Sequence, residues 1–230
     1  MTTLRWLLPL GLTLTVGFTG LGRTAAGGSR PSRTERDIQI TIRIHNNVNI
    51  QADTLVQAEL VATQILSQAG VRTVWFDCSA TVATDQRQPL CDRPPEPTDL
   101  LLDFDKEIQA FSPNLRESTL GFALIPGDRG QGERAYVSVS RVQTTARRFA
   151  ASSTMILGLA AAHEIGHLLM DSGDHSASGL MRAGWDGNDI RHAMQGDLRF
   201  AGNQLKQVRA GAITRHTASS YIQNSKTPVP

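Results

Sequence analysis

The sequence predicts a single α+β domain, and three observations carry that reading. Five short runs have the period-two or continuous apolar patterning of strands. One segment, Ser153 to Ala162, carries no charge and is apolar or small on every face, the mark of a buried central helix. Two further segments, one after the first strand and one near the C-terminus, repeat apolar residues at helical spacing. The size agrees: 230 residues with 40% hydrophobic and 19% charged side chains can close one domain around a real core. Twenty glycines and ten prolines are too few for a low-complexity polymer, and the apolar fraction is too high for disorder.

Residues 1–26 read as a secretory signal. Arg5 supplies a positive start, Trp6 to Leu21 is apolar or small, and Thr24-Ala25-Ala26 offers a small-residue cleavage site. The alternative is a retained anchor, but the segment is broken by Pro9 and glycines and is short of the ~20 residues that span a bilayer. With this segment removed, the formal charge of +2 falls to zero. A balanced surface lacks the basic footprint of a nucleic-acid binder. The chain is therefore expected outside the cytoplasm, secreted or periplasmic, as a monomer without stable membrane insertion or nucleic-acid partner. Cys78 and Cys91 bracket a polar loop, and in an oxidising compartment they are expected to pair as a disulfide. Metal ligation, or a thiol that blocks a metal site, is the alternative for that pair.

A polar connector over residues 27–36 leads into the domain, read as residues 37–212. Ile38 to Ile44 alternates with period two and is a half-buried strand. Leu55, Ala58, Ala62, Ile65, Leu66 and Ala69 then mark an amphipathic helix that Gly70 caps. Val71 to Phe76, Leu100 to Phe104 and Leu120 to Ile125 are the next three strands. Pro126 to Glu133 is a hairpin loop; its Gly130 and Gly132 lack the third glycine or Lys-Ser/Thr of a phosphate loop. Ala135 to Ser140 is the fifth strand. Asn203 to Ala212, with Leu205, Val208 and Ala212 in register, is a closing helix, and residues 213–230 are expected to form a loose tail.

The apolar helix runs directly into His163-Glu164-Ile165-Gly166-His167. Ionisable groups on a buried helix are costly unless something compensates them. His163 and His167 lie one turn apart on one face, so one cation can take both imidazoles. Glu164 lies about 100° round the helix, able to reach a water there without displacing either histidine. This is the H-E-x-x-H arrangement of zinc hydrolases. Chance matches to so short a pattern occur, but Glu164 is the only glutamate after Glu133 and its flanks are apolar. A solvated surface charge does not explain it.

A catalytic zinc needs a third protein ligand and an open position. No downstream glutamate exists to supply it, which leaves His175, Asp174 or Asp171. In a continued helix His175 would lie about 12 Å beyond His167, so the chain must break and fold back. Gly173 is the expected turn residue. His175 is the preferred third ligand and Asp174 its rival, with Asp171 read as a solvated residue or cap.

These residues, with His175-Ser176 and Gly179-Leu180-Met181 after them, resemble the metzincin clan of zinc endopeptidases. The resemblance spans about residues 37–212. It implies a zincin/metzincin-like domain, with a mixed five-stranded sheet packed on the active-site helix and a C-terminal helix. It also implies Zn2+ held by His163, His167 and His175, with Met181 as the methionine of the turn beneath the metal. The clan pattern H-E-x-x-H-x-x-G-x-x-H is not met in full. Met170 stands at its glycine and Gly173 at its last histidine, so the ligand loop here is two residues longer. The function expected is hydrolysis of protein or peptide substrates by a water that Glu164 activates. Arg182 and Trp185 are candidate cleft residues, and the edge near Gly121 to Leu124 could receive an extended peptide. The competing readings are a non-catalytic exported binding module with a structural zinc site, and a metal-free relic. The structural site would need a fourth ligand such as His192 or His216.

Overall fold

Alternation in the first strand is set by what each face must touch. In β1 (Gln39–Asn46), Ile40, Ile42 and Ile44 point to one side and are fully buried. β3 (Asp99–Asp105) does the same with Leu100, Leu102 and Phe104, and it pairs in parallel with β1, Ile42 opposite Leu100. β2 (Arg72–Asp77) flanks β1 on its other side, also parallel. β5 (Arg134–Ser138) adds in parallel to β3, and β4 (Gly121–Leu124) closes the sheet antiparallel to β5. The order is β2-β1-β3-β5-β4, a mixed five-stranded sheet with β4 at one edge.

The computed structural model describes residues 38–79, 88–108, 115–116, 118–127 and 131–226, with side chains to residue 222. All belong to one compact unit. The expected signal segment (1–26), the connector (27–36) and residues 227–230 lie outside the described residues.

Among the described residues there are five α-helices, making the domain α+β. α1 (Ala52–Ser67) lays Leu55, Ala58, Ala62, Ile65 and Leu66 on the core, and Gly70 turns the chain at φ +70°. α2 (Val139–Phe149) follows β5 without a loop, and α3 (Ser153–Met170) is the apolar helix, buried along nearly its whole length. α4 (Gly187–Met194) and α5 (Gly202–Lys226) complete the chain. No described helix is long and apolar enough to cross a membrane.

Three departures from the sequence reading have clear causes. The fifth strand ends at Ser138 rather than Ser140, because the Ser138 hydroxyl accepts from the Arg141 N–H and caps α2. The loose tail expected over 213–230 is instead helical through Lys226. Buried Arg215 and Ser219 tie that extension to the body, Arg215 donating to the carbonyls of Pro97, Gly132 and Leu168. The face of β1 expected to meet solvent is covered at Arg43, which pairs with Asp99 and donates to the carbonyls of Arg93 and Pro94. A buried guanidinium is tolerated only when its donors find such partners. Cys78 and Cys91 are joined in a disulfide.

Candidate metal centre

The centre is built from α3 outward. Ser152 caps the helix by accepting from the Met155 N–H, and eighteen residues of mostly small or aliphatic character follow. Close packing needs the small ones. A methyl on Gly166 would meet the Phe200 ring at 2.7 Å and the Met181 Sδ at 3.0 Å, so Met181 lies against the turn between the two helix histidines. Met181 itself is fully buried.

His163 and His167 face each other with Nε2 atoms 3.1 Å apart. Each Nδ1 meets a backbone carbonyl, His163 that of Leu180 at 2.7 Å and His167 that of Ser172 at 2.6 Å. A carbonyl can only accept, so both Nδ1 atoms carry the proton and both Nε2 atoms present bare lone pairs. Two lone pairs at that distance repel unless a cation lies between them. Tetrahedral zinc at 2.0–2.1 Å from each nitrogen would set them about 3.3–3.4 Å apart, close to what is seen. The donor set fits a metal ion.

The third imidazole arrives by a reversal of the chain. α3 ends at Asp171, whose φ of 50° is left-handed, and the Ser172 N–H returns to the His167 carbonyl. Gly173 was the expected turn residue, but its φ is not positive; Asp171 takes the left-handed position, which a short polar side chain tolerates. The turn brings the His175 ring to 4.8 Å from His167 and 5.4 Å from His163. One ring nitrogen of each of the three histidines lies within 4.8 Å of the others. Asp174 stays exposed and outside this cluster, and among the described residues neither His192 nor His216 joins it.

Burial, with the neighbouring His167, drives the His163 imidazole down to about 3, and burial drives His167 down to about 4. His175 is also lowered by burial. All three are therefore neutral near pH 7, the form that ligates. Glu164 is buried, its Oε2 has no hydrogen-bond partner among the described residues, and burial raises its carboxyl well above the usual range. β4 allows this placement, since a methyl on Gly121 would stand 2.8 Å from the Glu164 Oε1 and 2.5 Å from the Tyr136 carbonyl.

The segment after Met181 supports the site. The Ser176 N–H donates to the Met181 carbonyl, and Arg182 pairs with Asp186 and Asp189, the two residues of the α4 capping box. Trp185 donates its indole N–H to the Leu180 carbonyl at 3.0 Å, the same oxygen that holds His163, and stands edge-on to that ring. Two cavities of about 490 and 400 Å³ are both lined by Glu164 and His175. The larger is walled by α2 and residues 182–185, the smaller by β4 and the His175 segment. The α2 wall was missed in the sequence, although Val139, Val142, Ala146 and Phe149 recur at helical spacing.

Among solved structures, the fold is similar to archaemetzincin from Methanopyrus kandleri, with a TM-score of 0.47 and 14% identity over 76% of this chain and 97% of that one. It is also similar to a zinc-dependent peptidase from Methanocorpusculum labreanum, with a TM-score of 0.45 and 15% identity over 74% and 99%. No protein-family model and no curated protein matches the sequence.

Proposed function

We propose that this chain is an exported zinc-dependent endopeptidase, with His163, His167 and His175 as metal ligands and Glu164 as general base. The observation that carries the reading is a buried carboxylate whose Oε2 has no hydrogen-bond partner among the described residues, beside two imidazoles whose bare Nε2 atoms face each other. A merely structural site gives such a carboxylate nothing to do. Histidine nitrogens suit zinc among common divalent ions, and three of them leave one coordination position open.

Zinc, when bound, supplies a Lewis acid that polarises the scissile carbonyl and acidifies a water. Glu164 accepts a proton from the attacking water and returns it to the amine nitrogen as the C–N bond breaks. Its apolar surroundings favour the protonated carboxyl, which holds that proton until the leaving group needs it. The Leu180 and Ser172 carbonyls keep the His163 and His167 rings in the tautomer that offers Nε2 to the metal. Met181 and Phe200 pack beneath them against Gly166. The edge strand β4 offers its free side to an extended substrate passing Glu164. Export is read from the N-terminal apolar segment together with the Cys78–Cys91 disulfide.

Metal analysis of purified protein tests the ligand set. About one zinc per chain is expected, lost in His175→Ala and kept in Asp174→Ala. Retention of the metal in His175→Ala would refute the assignment. Peptide hydrolysis is expected from the wild type alone, with Glu164→Gln holding zinc and hydrolysing nothing. Zinc without hydrolysis of a broad peptide library would leave the non-catalytic binding module.

A further inference from the structure

We propose that the larger cavity beside the metal centre receives an acidic side chain of the substrate, and that Arg148 is the residue that selects it. The inference rests on the peptidase reading and adds to it a substrate class.

The cavity wall supplied by α2 is one helical face. Arg141, Thr144, Thr145 and Arg148 follow at intervals of three, four and seven, and all four line the cavity. The opposite wall holds Arg182 and Trp185. What matters is which charges there are already committed. Arg182 is engaged by the carboxylates of Asp186 at 2.6 Å and Asp189 at 2.5 Å. Arg141 donates to the carbonyls of Arg116 at 2.8 Å and Thr119 at 2.6 Å, which fixes the approach to β4. Glu107, the cavity's other carboxylate beside Glu164, accepts from the Ser140 hydroxyl at 2.5 Å.

Arg148 differs. Its guanidinium lies over the Phe149 ring at 5.1 Å, and among the described residues it makes no ion pair or side-chain hydrogen bond. Stacking on an aromatic face orients a guanidinium without consuming its N–H donors. The fork of donors is thus held at the cavity with no partner among the described residues. A carboxylate can accept two parallel N–H bonds from that group, which a lysine, an amide or an aliphatic side chain cannot. The two threonine hydroxyls add neutral donors on the same face. Trp185, Phe149 and Ala160 supply apolar wall, which keeps water from screening the pair as fully as at an open surface. The selected residue is therefore glutamate or aspartate at one position flanking the cleaved bond.

The test uses full-length zinc-loaded protein and a peptide library whose cleavage sites are mapped by mass spectrometry. It adds calorimetric binding of matched peptides to the Glu164→Gln variant. The matched peptides differ only in Glu, Gln, Leu or Lys at the mapped position, or at each position in turn if no cleavage is seen. Glutamate is expected to exceed glutamine about tenfold in binding and in kcat/KM, a charge-assisted contact's worth, with the ratio shrinking as salt rises. Arg148→Gln should bring the ratio to about one. Arg148→Lys should keep part of it, and Arg148→Glu should turn the preference toward lysine. A wild-type preference for leucine over glutamate, or a ratio unchanged in Arg148→Gln, overturns the proposal. Failure to cleave any peptide with zinc bound overturns the peptidase reading instead, and the Glu-to-Gln binding ratio still decides the role of Arg148.

Discussion

Replacing Glu164 by glutamine separates the chemistry of this residue from its cost to the fold. The carboxyl is buried, its Oε2 has no partner among the described residues, and burial raises its proton affinity well above the usual carboxylate range. A buried polar atom without a hydrogen bond costs about 1–3 kcal/mol, and more when charged. Because the folded state favours the protonated form, the contribution of Glu164 to the stability of the metal-free protein is greatest below the ordinary value of 4.5 and is lost as pH rises above it. Glutamine has no such loss. Metal-free Glu164→Gln should therefore melt higher than metal-free wild type at pH 8, by about 2–4 °C for each kcal/mol recovered. The gap should close toward pH 5. His163 and His167, lowered in the fold from 6.5 to about 3 and 4, make both proteins gain stability as pH rises toward 6.5, and that shared slope cancels in the gap between them. Zinc should narrow the gap, since a neighbouring cation favours the carboxylate. Activity should move the other way, with kcat reduced about 10²–10⁴-fold, the usual contribution of a general base. Calorimetric melts with and without zinc at pH 5, 6.5 and 8, alongside peptide hydrolysis, provide the readout. A variant that stays within tenfold of wild-type activity, or a melting difference that ignores pH, would refute the reasoning.

Other consequences follow from single contacts. Trp185→Phe removes the N–H that shares the Leu180 carbonyl with His163, and zinc affinity measured against a chelator should fall about tenfold. An unchanged affinity would mean that His163 needs no such support. Cys78→Ser with Cys91→Ser opens a loop spanning 13 positions, and denaturant unfolding should show a loss of about 3 kcal/mol by chain entropy. A loss below about 0.5 kcal/mol would count against that entropic account. The Glu59 carboxyl, raised to about 7 by burial and by Asp77, favours the fold fully below 4.5 and loses that advantage as pH rises through 7. Discounted for its partial exposure, Glu59→Gln should gain about 1 kcal/mol at pH 8 and nothing at pH 4. Equal stability of the two proteins at pH 8 would deny the carboxyl its cost.

Much of the site was readable because its spacing is local. Histidines four apart on a helix share a face whatever surrounds them, and the uncharged run before His163 requires that helix to be buried. The same logic locates β1, α1 and β3, where every apolar residue of the pattern lies in the core. It fails at Ser138, whose side chain can continue a strand or cap a helix. Local alternation from Ala135 favoured the strand, but the hydroxyl caps α2. It also fails past Ala212, where the apolar pattern thins and the helix is held through Arg215 by carbonyls more than forty residues away.

The sequence by itself determined the five strands, the buried helix, two imidazoles on one helix face and an isolated glutamate between them. It also showed that a third ligand requires the chain to reverse, since a straight helix carries His175 out of reach. Tertiary structure alone decided how. Asp171 rather than Gly173 takes the left-handed turn, His175 rather than Asp174 enters the cluster, and the carbonyls of Leu180 and Ser172 set which nitrogen of each helix histidine is bare. It likewise brought α2 and Arg148 to the cavity beside Glu164. The division has one physical cause. Periodicity and motif spacing are properties of neighbouring residues, whereas a hydrogen-bond partner or an uncommitted charge depends on segments that only folding brings together.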